Sequence, residues 1–447
     1  MIRRVHQTSL PLTRSRLAPV LRPIERFMAA ESAGGILLLA SAVAALVWVN
    51  SPWADSYHQV WHIQLGLRFG GRPYAMSLEH WVNDGLMAVF FVVVGLEIKR
   101  ELLIGELASV RRASLPVAAA VGGMVVPALI YFAINVGGSG KSGWGIPMAT
   151  DIAFAAGVVT LVGRGVPTSV KVFLLAVAIV DDLGAVLVIA LFYTNHISTA
   201  ALEAAGMLFG LLVLLNVLRV HRILPYVVVG VGLWVATLFS GLHATIAGVL
   251  LAFTIPATRQ IEEGPFVEHV RRVLNDFEGE ATAFPDKITG EQSHALHVIE
   301  QASRAVQTPL ARLEHMLLTP VTFIIIPVFA LANAGVLLRF GGAKGGEAVA
   351  WGVLAGLIVG KPVGVLAASW VAVKTGLAAL PEEGTWRHLF GISILCGIGF
   401  TMSLFVANLA FEEGPQLVAA KLGILAASLV CGIAGSVVLA RSKRTAT

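Results

Sequence analysis

Charged residues are scarce in this chain of 447 residues. Asp, Glu, Lys and Arg together make up 13% of it, whereas hydrophobic residues make up 56%. Soluble domains carry about 25% charged residues, so this composition excludes an ordinary soluble protein. The mean hydropathy of +0.80 agrees. Because apolar runs recur nearly from end to end, the composition predicts one integral bundle of a polytopic membrane protein rather than several soluble domains.

Cysteine is also nearly absent. The two cysteines, Cys396 and Cys431, both lie in apolar runs. A disulfide between them is possible in principle, but nothing in their surroundings indicates one, and nothing indicates a metal site. The net charge of +5 does not require nucleic acid as a partner, because the basic residues fall in alternate loops, as membrane orientation requires.

Apolar runs of membrane-spanning length are abundant. A spanning helix needs about 20 apolar residues, and this template predicts an all-α protein with about twelve transmembrane helices. Two of the runs are short and are separated only by Ser240 and Gly241. The predicted spans are 33–51, 79–103, 114–136, 145–163, 167–194, 199–218, 223–240, 242–257, 319–338, 347–373, 388–411 and 418–441.

The loops predict the orientation of the chain. Loops placed inside are rich in lysine and arginine, and those placed outside hold few, so both termini are predicted in the cytoplasm. The inside set is Lys99, Arg100, Arg111, Arg112, Arg164, Lys171, Arg219, Arg222, Lys374, Arg387, Arg441, Lys443 and Arg444.

Five segments follow from this orientation. They are a cytoplasmic N-terminal segment (1–32), helices 1–8 (33–256), a cytoplasmic loop (257–318), helices 9–12 (319–441) and a cytoplasmic tail (442–447). A cleaved signal peptide is the alternative at the start, since Ala40, Ser41 and Ala42 resemble a cleavage motif. The first apolar run is near spanning length and its basic flank is long, which favours a retained helix.

The segment from Ala257 to Thr319 is the only long polar one. Apolar residues recur there at intervals of three and four, which predicts amphipathic helices on the cytoplasmic face. A solvated linker is the alternative for residues 257–300.

Two predicted spans carry helix-breaking residues. The first, GIPMATDIAFAAGV, contains a proline and a Thr-Asp pair, and the second, LCGIGFTMSLFVANLA, has Gly397 and Gly399 beside Thr401 and Ser403. They occupy corresponding places in two triplets of helices, 114–194 and 347–441. Interrupted segments at corresponding places in two halves indicate a transport site. Glycines that serve only helix packing are the alternative.

Asp181 and Asp182 are adjacent in one of the most apolar spans. A carboxylate at the bilayer centre costs about 2.5 kcal/mol or more, so such residues indicate an ion or proton pathway. Their side chains diverge by about 100° on a helix, and the two groups titrate as a coupled pair. A bound cation relieves their repulsion, so protons and sodium exclude each other at this site. A purely structural hydrogen bond fits two adjacent aspartates poorly.

Three further residues belong to the same predicted site. Lys361 is the only basic residue deep within a predicted span, and the aspartate pair is its expected partner. Asp151 follows Thr150 in the first interrupted span. Asp151 is expected to neutralise the positive ends of half-helices, and the Thr150 hydroxyl is a candidate ligand.

Eight further runs have a distinctive order of residues. They are NDGLMAVFFVVVGLEIKREL (83–102), ATDIAFA (149–155), AIVDDLGAVLVIALFYT (178–194), GLHATIAGV (241–249), RLEHML (312–317), PVFALANAG (327–335), VGKPVG (359–364) and CGIGFTMSLF (396–405). Together they resemble the bacterial NhaA-type sodium/proton antiporter family across residues 28–256 and 308–441.

The resemblance implies a fold of twelve helices with inverted repeats that exports sodium or lithium in exchange for protons, with no cofactor. Asp181 and Asp182 would bind the ion and carry the protons, with Lys361 as the partner of Asp181. It also implies a pH-regulated protein of the bacterial inner membrane, and a possible homodimer through an extracellular hairpin in 52–77. The further family positions are Glu97 and Glu101 at a cytoplasmic funnel, Glu314 and His315 in pH sensing, and Asp84 and His243.

Three other functions remain as alternatives. A sodium-coupled solute symporter would use a similar crossed-helix site, but no solute-binding motif stands out. An intramembrane aspartyl protease needs a Gly-x-Gly-Asp signature, which this chain lacks. A passive channel would give flux without exchange stoichiometry.

Overall fold

The computed structural model describes residues 33–69, 72–162, 165–194, 197–259, 261–279, 289–338, 345–411 and 414–442. The predicted N-terminal segment 1–32 and residues 443–447 of the predicted tail lie outside the described residues, as do residues 280–288 of the polar segment. Within the described ranges the chain is predominantly helical, with one antiparallel hairpin.

The first part of the chain contains nine helices and the hairpin within these ranges. A helical turn at Leu78–His80 and a π-helical segment at Trp81–Leu86 lead into the third helix. The elements are α1 (Ala33–Val49), α2 (Ala54–Trp61), β1 (Gln64–Phe69), β2 (Arg72–Ser77), α3 (Met87–Ile104), α4 (Val110–Asn135), α5 (Ile152–Val162), α6 (Thr168–Phe192), α7 (Thr199–Val217), α8 (Ile223–Ser240) and α9 (Thr245–Thr254).

In the second part, two π-helical segments join pairs of helices end to end. Val321–Ile325 joins α12 to α13, and Gly356–Gly360 joins α14 to α15. The elements are α10 (Glu263–Gly279), α11 (Gly290–Val306), α12 (Pro309–Pro320), α13 (Ile326–Asn333), α14 (Glu347–Ala355), α15 (Lys361–Lys374), α16 (Trp386–Leu395), α17 (Phe400–Ala410) and α18 (Pro415–Ser442).

Among the described residues, eight helical stretches are long and apolar enough to cross a membrane, or up to ten if each of two bent pairs forms one span. The predicted spans 79–103 and 242–257 do not meet that test. The first carries four charged residues near its end, Glu97, Lys99, Arg100 and Glu101, and the second is represented by the short helix α9. Twelve spans therefore stay a prediction.

The polar segment contains two helices rather than only a linker. α10 and α11 pack against each other, and a capping box starts α11. Thr289 Oγ1 accepts from the backbone N–H of Gln292, and Gln292 Oε1 accepts from the backbone N–H of Thr289. These two bonds satisfy donors that a helix start otherwise leaves unpaired.

The helices pack mainly in two groups. The α3 group contains α1, α3, α7, α8, α9, α12 and α13, and the α4 group contains α4, α5, α6 and α14 to α18. One very close approach lies inside the α4 group. A Cβ added at Gly122 would lie 2.2 Å from the carbonyl oxygen of Gly364, so α4 and α15 touch through their backbones.

One end of the bundle carries the hairpin, in which Gln64 pairs with Ser77, and we call it the hairpin end. The helix α2 directly precedes the hairpin in the chain and lies at this end. Its Tyr57 hydroxyl donates to the carbonyl oxygen of Ala332, at 2.7 Å, so the end of α13 lies there too. The ends of α6 and α17 lie together, because one residue of the 3₁₀ segment Lys141–Met148 contacts both. This residue is Ser142, whose carbonyl accepts from Tyr193 at 2.6 Å and whose hydroxyl donates to the carbonyl of Ala410 at 2.9 Å.

Candidate ion-binding site

Two interrupted helical segments cross in the α4 group. In the first, a 3₁₀ segment ends at Met148 and α5 begins at Ile152; in the second, α16 and α17 meet at an angle of 44°. The two breaks are hydrogen-bonded to each other. The backbone N–H of Asp151 donates to the carbonyl oxygen of Ile398 at 2.7 Å. Each break thus satisfies a polar backbone group that the other leaves unpaired.

Asp151 serves the starts of both broken helices. Its Oδ1 accepts from the backbone N–H of Phe154, at 2.9 Å, in α5. Its Oδ2 accepts from the backbone N–H of Thr401 at 3.0 Å and from the Thr401 hydroxyl at 2.5 Å, in α17. Helix N-termini carry partial positive charge, so one buried carboxylate compensates two of them.

Asp181 and Asp182 lie side by side on α6, each 1% exposed. Lys361 Nζ, on α15, is 2.5 Å from Asp181 Oδ2. The Thr150 hydroxyl also reaches this oxygen, at 2.7 Å, and lies 2.9 Å from the carbonyl oxygen of Cys396. The break between the crossed segments therefore places a hydroxyl and a carbonyl beside a buried ion pair.

Two carboxylate oxygens of the pair have no hydrogen-bond partner. They are Asp181 Oδ1 and Asp182 Oδ1, and both are buried. A buried acceptor without a partner is costly, and a cation is a partner that satisfies it. No group of three or more His, Cys, Asp and Glu side chains suited to a metal ion occurs in the described part of the chain. The arrangement suits a small hard cation held by oxygen ligands.

The π-helical segment Gly356–Gly360 directly precedes Lys361. Such widened turns are often found at functional sites. Space for the side chain comes from the facing helix, where a Cβ added at Gly123 would lie 3.6 Å from Lys361 Nζ. Lysine at full burial needs a negative partner, which Asp181 supplies.

A second charged cluster joins the end of α3 to the start of α12. Arg100 Nη1 is 2.9 Å from Glu314 Oε1, and Arg100 Nη2 is 3.7 Å from Glu97 and 3.6 Å from Glu101. His315 is exposed next to Glu314 in the chain. Glu97 also lies within electrostatic range of Asp182. Four of the predicted residues, Glu97, Glu101, Glu314 and His315, therefore come together outside the aspartate pair.

Asp84 and His243 lie elsewhere and interact with each other. The Asp84 carboxylate is within electrostatic range of His80 and His243. Its backbone carbonyl accepts from Trp234 Nε1 at 3.0 Å. His243 Nε2 contacts the carbonyl oxygen of Tyr193 just after α6. This pair links the α3 group to the end of α6 and makes no described contact with Asp181 or Asp182.

Sequence reasoning missed the partners that complete these sites. Thr401 stood out only as a hydroxyl beside two glycines, yet it donates twice to Asp151. The loop pattern gives Arg100 only a role in orientation, whereas in the structure it joins three glutamates. Its position three residues after Glu97 and next to Glu101 is the signal that could have found it.

Comparison with known proteins finds relatives that match nearly the whole chain. The family model described as Na+/H+ antiporter 1 matches residues 25–439. A Na(+)/H(+) antiporter NhaA of Oleidesulfovibrio alaskensis is 50% identical over 418 residues, which cover 93% of each chain. One of Koribacter versatilis is 49% identical over 436 residues, 96% of this chain and 93% of the relative.

A third relative, from Sulfurimonas denitrificans, is 46% identical over 419 residues, 93% of this chain and 94% of its own. All three are named as antiporters, which gives no support to the symporter alternative. The match spans both interrupted segments and the aspartate pair. The chain therefore belongs to the Na+/H+ antiporter 1 family, whose members are transporters rather than enzymes, and it is a multi-pass membrane protein.

Proposed function

We propose that this protein exports Na⁺ or Li⁺ in exchange for H⁺ by alternating access, electrogenically and under pH control. The observation that carries the proposal is the pair of buried carboxylates, Asp181 and Asp182, each with one oxygen lacking a partner. Two negative groups this close repel each other in a low dielectric, and either protons or a cation relieves the repulsion. The exchange needs no cofactor, since protons and the metal ion compete for the same oxygens.

Lys361 supplies the third charge of the proposed cycle. It compensates Asp181 while no sodium is bound, and Na⁺ replaces it as the counter-charge when sodium enters. The Thr150 hydroxyl holds Asp181 Oδ2 and offers an oxygen ligand. Asp151 acts electrostatically, because its oxygens are occupied by the two helix starts.

The remaining predicted residues are proposed to control access. The cluster of Glu97, Glu101 and Glu314 around Arg100 forms the cytoplasmic entrance, and His315 contributes to the pH response there. Asp84 and His243 act near the extracellular side. A packing role for His243 is the alternative, since its ring contacts a backbone carbonyl.

The orientation and assembly are part of the same proposal. We place twelve spans as inverted repeats in the bacterial inner membrane, both termini and the segment 257–318 in the cytoplasm, and the hairpin end outside. Basic residues in alternate loops support this orientation, and the two crossed breaks in the chain support the repeats. The hairpin is the proposed contact of a homodimer.

The test is proton movement in everted membrane vesicles that lack other exchangers, followed with a pH-sensitive dye. Added sodium or lithium should release protons from the vesicle interior, and potassium should not. The response should strengthen as the pH rises from 6 to 9. As the pH falls, protons occupy the carboxylates that sodium must bind, so more sodium is needed for half-maximal exchange.

The matched variant is Asp182→Asn, which keeps the shape of the side chain and removes one charge. We expect it to abolish sodium-dependent proton movement. Retained exchange in this variant would overturn the role of Asp182. Sodium uptake with an organic solute and without proton movement would instead favour symport.

A further inference from the structure

Three asparagines form a hydrogen-bonded chain between the two helix groups. Asn408 Nδ2, on α17, donates to Asn333 Oδ1 at 2.5 Å. Asn333 Nδ2, at the end of α13, donates to Asn83 Oδ1 at 2.8 Å and to the carbonyl oxygen of Phe329 at 2.9 Å. Since α13 belongs to the α3 group and α17 to the α4 group, the bond between Asn408 and Asn333 crosses from one group to the other.

A layer of three phenyl rings lies directly beneath the asparagines. The ring of Phe405 is 5.4 Å from that of Phe91 and 6.2 Å from that of Phe329, measured between centroids. Each ring is at most 1% exposed. Phe405 and Phe329 precede Asn408 and Asn333 by three and four residues, so they lie about 4.5 to 6 Å deeper along α17 and α13. Such a layer offers a passing ion no oxygen ligand.

A cavity of about 560 Å³ opens on the other side of the asparagines, at the hairpin end. Its walls include Ala332 and Gly335, which lie one and two residues from Asn333 in the chain, and the polar side chains of His58, Glu79 and Lys421. The order from the hairpin end inward is therefore this cavity, the asparagine chain, the phenyl layer and then the aspartate pair.

The asparagine chain is incomplete in one respect. Asn408 Oδ1 is buried and has no hydrogen-bond partner. Native structures satisfy nearly all such oxygens, so one that is left over calls for an explanation. If the bond between Asn408 and Asn333 breaks, Asn333 Oδ1 is released as well. Two amide oxygens are then free at the same level, and oxygen is the ligand type that a sodium ion needs.

We propose that the hydrogen bond between Asn408 and Asn333 is the latch of the extracellular gate. While the bond is made, it holds α17 against α13 above the phenyl layer and closes the route to the cavity. When it breaks, the two helix groups part and the freed amide oxygens pass sodium outward. This inference rests on the proposed antiport and deepens it by naming the extracellular route.

The test needs a reporter between the phenyl layer and Asp182. Val186 lies one helical turn past Asp182 toward the hairpin end, and it lines the same small void as Phe91 and Ile189. Val186→Cys in right-side-out vesicles is treated with a membrane-impermeant methanethiosulfonate. The unmodified chain, with its buried native cysteines, sets the background rate.

The substitution Asn408→Leu is added to the Val186→Cys reporter. It removes the amide that donates the latch hydrogen bond and keeps a side chain of similar size. We expect labelling at Val186→Cys to become faster by on the order of tenfold, the population shift that the loss of one net hydrogen bond gives. The matched control is Asn135→Leu, because Asn135 is 2% exposed and its amide binds Tyr131 and Ala348 within the α4 group. Equal labelling rates in the two variants would overturn the latch.

A second measurement does not depend on Asn408→Leu folding. Asn333→Cys and Asn408→Cys are combined and joined with a short, reducible bifunctional thiol reagent. We expect joining to stop sodium/proton exchange and reduction to restore it, while sodium still raises the melting temperature of the joined protein. Full exchange in the joined protein would overturn the latch and leave the proposed antiport unaffected. No sodium effect on melting before joining would count against the aspartate site instead.

Discussion

Replacing Lys361 tests whether this residue takes part in ion binding or only in the stability of the fold. It is fully buried and its charge meets Asp181 at 2.5 Å. Lys361→Met leaves Asp181 without its counter-charge, and breaking a buried pair in this way costs about 3 to 5 kcal/mol. Sodium can replace the missing charge. We therefore expect the melting temperature of the purified variant to rise more in NaCl than in KCl, and by more than in the unmodified protein.

Lys374→Met is the control for this measurement. Lys374 ends the same helix, is exposed and lies over the ring of Trp370 at 4.4 Å. It should respond to NaCl and KCl as the unmodified protein does. If Lys361→Met also shows no preference for sodium, Lys361 has no part in sodium binding.

The sequence allows the charged residues of the site and Thr150 to be predicted, but not every residue that acts with them. Asp181, Asp182 and Lys361 stand out because a charge is costly in an apolar span. Thr401 and Asn408 do not, because hydroxyl and amide groups are common in membrane helices as packing contacts. Their roles depend on which segments meet, and Thr401 is 250 residues from Asp151. Only the fold supplies that information.

At the scale of elements, the contact between α4 and α15 positions Lys361. A Cβ at Gly122 would lie 2.2 Å from the Gly364 carbonyl oxygen and 2.5 Å from Ala368 Cβ. Backbone cannot yield to such a contact as a flexible side chain can, so Gly122→Ala must push α15 away. We expect a loss of about 1 to 3 kcal/mol of stability from overpacking and at least tenfold slower exchange, because Lys361 moves with the helix.

The control is Gly206→Ala, on α7, where an added Cβ meets nothing within 4 Å. Alanine favours a helix over glycine by about 1 kcal/mol, so this variant should be as stable as the unmodified protein or more so. Melting temperature and vesicle exchange measure both variants. Equal behaviour of Gly122→Ala and Gly206→Ala would show that the tight contact does not position Lys361.

The start of one helical run shows that a count of apolar residues does not locate every helix boundary. The predicted span 319–338 belongs to a helical run that begins at Pro309, ten residues earlier. Arg312, Glu314 and His315 hide this start in a count of apolar residues. The sequence nevertheless marks the start of this helix with a threonine followed by a proline. In the structure Thr308 accepts from the backbone N–H of Ala311, and Pro309 occupies the first turn.

The whole molecule must move charge for the proposed export to work against an opposing proton gradient. We propose that the site takes up two protons in place of each sodium ion, so a cycle of two protons in for one sodium out carries one net charge. A potential of about 100 mV then supplies about 2.3 kcal/mol, which sustains a sodium ratio of about 50. In proteoliposomes clamped at that potential with valinomycin, equal in pH and sodium at the start, an inside-negative voltage alone should expel sodium to this ratio. Asp182→Asn should expel none. If voltage leaves sodium unchanged while a pH gradient moves it, the cycle exchanges one proton for one sodium, and the site takes up only one proton.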